Sequence, residues 1–201
     1  MTYPETPLSA DELLNRIFVE GRSFSAWQKR PVDKDVLDRA YRLAALGPTS
    51  MNCQPARFLW LTSEEARARL LAWLAPPNVE KTRTAPVTIV VAADLAFYDE
   101  LPRLFPHRPG VRELYASKPE LARETARRNC ALTAGYFICA LRALGLDCGP
   151  MSGFDAAAVD VGFFPDGRWK SEMVLNVGYG ERESLFPRLP RLGWEEAWRL
   201  V

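Results

Sequence analysis

Chemistry in this chain has to come from a few polar residues set beside glycine and proline. Arg22-Ser23 joins a guanidinium to a hydroxyl, a donor set that suits a phosphate dianion. Alone, Arg22 reads equally as a surface charge after a helix. Pro48, Thr49, Ser50 and Asn52 lie in one turn after Gly47 and offer hydroxyl and amide groups, though such a run by itself is more often a helix exit. Asn78 and Lys81 stand three residues apart, which on a helix places both on one face. That pairing is also common on surface helices. Met151-Ser152-Gly153 ends in a residue that lets backbone come close to a ligand. His107 is the only histidine; it could donate a proton or touch a substrate, but in a loop it reads first as structural or solvated.

Several chemistries are excluded by what is missing. No G-x-x-x-x-G-K-[ST] loop is present, and Gly178-Tyr-Gly180 is too short for a dinucleotide fingerprint. A Ser-His-acid triad would need His107, yet no serine sits in a G-x-S-x-G elbow, Ser152 included. Cys53, Cys130, Cys139 and Cys148 form no C-x-x-C pair, so neither a structural zinc nor a disulfide framework is expected. Cys53 reads as a small buried residue. With 26 basic against 25 acidic residues the net charge is +1, which argues against nucleic acid or a membrane surface as the main partner. The start, Met1 to Pro7, lacks the layout of a signal peptide, and no apolar run is long enough to span a bilayer. A cytoplasmic location is expected.

The elements that must position these residues can be read from periodicity. Leu13, Leu14, Ile17 and Phe18 predict a helix over Ala10–Gly21, capped by Ser9 or Asp11. Val36, Leu37, Ala40, Tyr41 and Ala44 predict a second over Asp33–Leu46, stopped by Gly47-Pro48, where glycine gives a left-handed option. Phe58–Leu61 reads as a strand, and 63–74 as a helix. Val87–Ala93 is a β-branched run that predicts a strand buried on both faces. Pro102, Pro106, Pro109 and Pro119 break residues 94–119 into short helices and loops, a candidate lid. The longest helix, Pro119–Gly145, is apolar on more than one side and should be central. A final strand runs through Lys170–Gly178, and the tail from Leu185 ends in a short amphipathic stretch. One α+β domain over residues 1–201 accounts for this order.

Four separated segments, Gly21–Trp27, Gly47–Pro55, Asn78–Lys81 and Gly149–Asp155, with the tail Arg188-Leu-Pro-Arg191 as a fifth, stand in the order seen in the nitroreductase family. The chain resembles that family, and most closely its malonic semialdehyde reductase branch. The resemblance implies an α+β fold with a central mixed, mainly antiparallel sheet surrounded by helices, in a homodimer with FMN at the interface. It assigns Arg22 and Ser23 to the FMN phosphate and ribityl chain. Gly21 and Ser25 depart from two basic positions of the family's motif, so phosphate charge must be met elsewhere; Arg188 and Arg191 match the tail. Pro48, Thr49, Ser50 and Asn52 would line the flavin. Asn78 and Lys81 would meet its pyrimidine edge, and the backbone of Met151, Ser152 and Gly153 its N5–O4 side.

The implied reaction is ping-pong hydride transfer from NADH or NADPH through FMN, with no protein nucleophile. Tyr98, Leu104–His107 and the tail resemble the branch, which implies reduction of malonic semialdehyde to 3-hydroxypropionate. Arg57, Arg103 and Arg108 are candidates for the substrate carboxylate, and His107 for protonating the alkoxide. A broad nitroreductase or quinone reductase, and a flavin-binding protein without turnover, are the competing readings.

Overall fold

A run as apolar as Val87–Asp94 is stable only inside a sheet covered on both sides. The computed structural model, which describes residues 8–201, places it there. The leaderless start read from Met1–Pro7 lies outside the described residues. In chain order the framework is α1 (Ala10–Leu14), running into a π-helical turn over Asn15–Val19, then α2 (Lys34–Ala44), β1 (Ala56–Trp60), α3 (Glu64–Ala72) and α4 (Pro76–Arg83). It continues through β2 (Val87–Asp94), α5 (Leu101–Leu104), α6 (Val111–Ala116) and α7 (Pro119–Ala143), and ends with β3 (Asp147–Met151), α8 (Ala156–Phe163), β4 (Trp169–Gly178) and α9 (Trp194–Ala197).

The sheet has the order β1-β2-β4-β3, and all three strand pairings are antiparallel. Among the described residues its one parallel contact is an isolated bridge between Ser23 and Cys148. Alternation along β2 divides the core. Val87, Ile89, Val91 and Ala93 face α2 and α7, while Val90 and Ala92 face Leu70 of α3 and Val159 of α8. Each fully buried aliphatic side chain of this kind contributes about 1.5–3 kcal/mol. The face of α7 against the sheet is built from Ala126, Cys130, Ala134, Phe137 and Leu141, mostly small, so helix and sheet approach closely.

Four expectations need correction. Gly47 does not use a left-handed conformation; glycine is required there because a Cβ would lie 2.1 Å from the Tyr136 ring. The left-handed residues follow it: Met51 and Asn52 at φ 51° and Gln54 at 38°. Residues 147–151, for which the sequence predicts no strand, form β3. The first helix, expected over Ala10–Gly21, is α-helical only over Ala10–Leu14 before its π-helical turn, and Leu13, Leu14 and Phe18 of its apolar stripe are exposed. Finally, 94–119 is no free lid: Phe97, Leu101, Val111 and Tyr115 are buried in the main core, and the exposed stretches, 102–110 for the most part and 116–119, lie between or after these anchors.

Candidate functional site

The edge strand β3 carries one half of the site. Ser23 bridges to its outer side and Phe24 N–H donates to the Cys148 carbonyl at 3.0 Å. This approach requires Gly149, since a Cβ there would sit 2.5 Å from the Phe24 carbonyl oxygen. Past the end of β3 the Gly153 carbonyl accepts from Ala75 N–H at 2.9 Å and from Asn78 Nδ2 at 3.0 Å. Lys81 Nζ donates to Asn78 Oδ1 at 3.3 Å, and Trp27 Nε1 holds the Lys81 carbonyl at 2.9 Å. A buried polar chain sets α4 against the sheet: Thr88 Oγ1 donates to Asn176 Oδ1, and Asn176 Nδ2 donates to Thr82 Oγ1, each at 3.0 Å. Arg22, Ser23, Met151–Gly153, Asn78 and Lys81 are therefore strung along one edge.

At the Arg22 end of that edge lies a cavity of about 450 Å³ between residues 18–25 and 184–191. Arg22, Arg142, Arg188, Arg191, Ser23 and Ser25 line it, and no acidic side chain does so among the described residues. Arg22 Nη2 donates to the Phe186 carbonyl at 2.6 Å, and Arg188 Nη2 to the carbonyls of Val19 and Gly21. Arg191 bonds carbonyls of its own tail, at Leu189 and Pro190. Neutral carbonyl acceptors leave the positive charge of this pocket unspent. A phosphate dianion fits it.

The turn Pro48–Asn52 is elsewhere. Ser50 N–H donates to Asn129 Oδ1 at 2.8 Å and the Tyr136 hydroxyl to the Pro48 carbonyl at 3.2 Å, both from α7. Asn52 Nδ2 donates to the Leu104 carbonyl at 2.9 Å and its Oδ1 accepts from Gln54 Nε2 at 2.7 Å. The left-handed Met51 costs about 1–3 kcal/mol, which these bonds offset. The turn leads into β1, at the edge opposite β3 and on the α7 face, whereas Asn78 belongs to the α4 face. Three strand spacings of about 4.8 Å put some 14 Å of sheet between them. Within one chain the turn and the arginine set line separate cavities that share no residue.

The candidate substrate contacts fall into two groups: Arg57 and Arg103 line one cavity of about 650 Å³ with Gly47, Thr49 and Gln54, whereas His107 and Arg108 do not line it. Arg57 is bound to the buried Asp94 at 2.6 Å, which Arg168 grips from the other side at 2.9 Å. Arg103 pairs with Glu100 at 2.9 Å. His107 and Arg108 are exposed, with the imidazole centroid 3.9 Å from the Phe105 ring. Burial raises the thiol pKa of Cys53 to about 11 and those of Cys130 and Cys148 to about 12, so all three stay protonated and unreactive. Sequence reasoning missed Trp27, Asn129, Arg142 and Asn176 as positioning groups. The only signal for Asn129 is a polar stripe, Thr125, Asn129 and Thr133, at four-residue spacing inside a buried helix.

On an antiparallel sheet backed by a central helix, the arginine pocket is a donor set that fits a phosphorylated ligand. The profile described as "Nitroreductase family" matches residues 21–179. A protein of Rhodopseudomonas palustris, provisionally named NADH dehydrogenase/NAD(P)H nitroreductase, is 51% identical over 95% of this chain and 97% of its own length. One of the same name from Polynucleobacter asymbioticus is 44% identical over the same shares. The fold matches a provisionally named nitroreductase of Exiguobacterium sibiricum, solved in complex with FMN, at a TM-score of 0.83 and 23% identity, covering 98% of this chain and 100% of that one. The chain belongs to the nitroreductase family. With the family come FMN and a nicotinamide reductant: it is an FMN-dependent NAD(P)H oxidoreductase.

Proposed function

We propose that this oxidoreductase works as a homodimer and reduces malonic semialdehyde to 3-hydroxypropionate. The observation that carries the site assignment is that the segment Arg22–Trp27 joins the two parts: Ser23 lines the arginine pocket and bridges to β3, and Trp27 holds Lys81 beside Asn78. Bound FMN supplies a two-electron carrier that accepts hydride from NADH or NADPH and passes it on. Arg22, Ser23, Arg188 and Arg191 hold the phosphate. Asn78 orients the pyrimidine edge, and the charge of Lys81 favours the reduced ring. Ser152 and Gly153 offer backbone N–H groups beside them.

The turn Pro48–Asn52 completes each site from a second copy. Support comes from its place at the opposite sheet edge and from the apolar surface left uncovered at Phe18, Val19, Phe186, Leu189, Trp194 and Trp198. Asn52 ties this turn to Leu104, so the neighbouring His107 and Arg108 approach the site with it. Arg108 meets the substrate carboxylate and His107 protonates the alkoxide. A cytoplasmic location, where the nicotinamide reductant is supplied, belongs to the same reading. Among the described residues, no helix is long and apolar enough to cross a membrane.

A second reading, broad reduction of nitroarenes or quinones, is favoured by the acid partners of Arg57 and Arg103 and by the names its relatives carry. Values of kcat/KM for malonic semialdehyde, a nitroarene and a quinone separate the two. A preference for either planar acceptor refutes the aldehyde assignment. Failure of NADH and NADPH alike to bleach the bound flavin would refute turnover altogether.

A further inference from the structure

Arg142 stands in the last turn of α7, outside every segment that carries the family motif, yet its guanidinium reaches the arginine pocket. Nη1 donates to the Ile17 carbonyl at 3.1 Å and Nη2 to the Arg22 carbonyl at 3.2 Å. Space for it exists because residue 21 is glycine. A Cβ there would lie 2.3 Å from the Ile17 oxygen and 2.8 and 2.9 Å from Nη1 and Cζ of Arg142. The side chain is half-buried, and its Nε is buried with no hydrogen-bond partner. Arg142 also lines a smaller cavity of about 140 Å³, together with Arg16, Arg182, Glu20 and Asp147. Glu20 and Asp147 line this smaller cavity and not the larger one; burial raises the Asp147 carboxyl pKa, and the charges of Arg182 and Arg142 act against that rise.

We propose that Arg142 is an anchoring residue for the phosphate end of the cofactor, taking the place that a side chain at position 21 would otherwise fill. This rests on the flavin reading above. Arg188 and Arg191 come from an extended tail, and Arg22 from a loop; Arg142 alone of the four is fixed on a long, buried helix. A guanidinium held by two carbonyls presents its charge without further ordering on binding. Its bond to the Arg22 carbonyl also fixes the backbone from which the Arg22 side chain departs. A phosphomonoester dianion is the ligand class this charge recognises.

The test compares FMN with riboflavin, which lacks the phosphate, by titrating flavin-free protein and following flavin fluorescence. R142A is expected to raise the Kd for FMN about tenfold or more while the Kd for riboflavin stays within about twofold. R142K keeps the charge but not the planar fork, and should lie between R142A and the parent. Equal weakening of both flavins, or no weakening of FMN, overturns the proposal. Thermal unfolding without flavin checks that R142A folds; if it does not, the same FMN-to-riboflavin comparison on R142K decides. Should the parent chain bind neither flavin, the flavin reading fails on its own account. Binding of inorganic phosphate then decides for Arg142: loss in R142K or R142A supports the anchor, and no phosphate binding by the parent overturns it.

Discussion

Replacing Gly153 with alanine tests whether the Asn78 amide is set by the backbone it touches. The added Cβ would lie 2.7 Å from Asn78 Nδ2 and 3.3 Å from Ala75 Cβ. The first distance is about 0.8 Å short of an ordinary contact of about 3.5 Å. Gly153 does not need a positive φ, so alanine brings no backbone strain and the effect is local. Asn78 must swing aside, losing its bond to the Gly153 carbonyl and its grip on Lys81. One net hydrogen bond is about 0.5–1.5 kcal/mol, and mild overpacking adds to it, so folding stability should fall by about 1–2 kcal/mol. The same displacement should cost FMN about tenfold in affinity, equivalent to about 1.4 kcal/mol. Urea unfolding of the flavin-free protein reads the first quantity and FMN titration the second. A loss of stability with unchanged FMN affinity would show that the Asn78 amide does not meet the cofactor.

Three further outcomes follow from buried groups. Asn176→Leu keeps the branching and number of side-chain heavy atoms but adds bulk and strands the Thr82 and Thr88 hydroxyls, so urea unfolding should show a loss of about 2–4 kcal/mol; a change near zero would mean the polar chain is dispensable. Asp94→Ala leaves Arg57 and Arg168 facing each other and frees Ala96 N–H, at a cost of about 3 kcal/mol; this is the low end for a buried pair because both guanidinia keep some solvent. Thiol labelling of the native protein near neutral pH should modify Cys139 first and spare Cys53, Cys130 and Cys148 until unfolding. Their raised folded pKa values mean that the unfolded chain loses thiol protons first, from about pH 8.5. Stability should therefore be unaffected by these thiols below that pH and decline as pH rises toward 11, and a flat profile would contradict the burial argument.

The parts of the fold legible in the sequence were those with a single dominant signal. β2 and α7 announce themselves because an apolar run of that length has few other stable solutions. β3 does not, since Asp-Cys-Gly-Pro-Met holds both of the residues least suited to strands. An outer edge tolerates them: Gly149 lets the Phe24 segment close in, and Pro150 is admitted where one side of the strand has no ladder to complete. The motif residues could be recognised one segment at a time, but periodicity carries no information about which sheet edge each one reaches. Arg142 was hidden for a related reason. A basic residue in the last turn of a helix is what the helix dipole favours anyway, so nothing local marks it as reaching back to Gly21.

The separation of Pro48–Asn52 from the Asn78 edge has a genetic consequence. In the proposed dimer each site draws its turn from one copy and its β3 edge from the other. A chain damaged only in the turn, such as Asn52→Ala, and a chain damaged only at Lys81 are both inactive by themselves. Mixed, they assemble into a pair in which one site collects both lesions and the other collects none. Each mixed pair should reach about half the turnover of a normal pair, so random pairing of the two co-expressed alleles should restore about a quarter of normal activity, whereas two lesions on the same half should restore nothing.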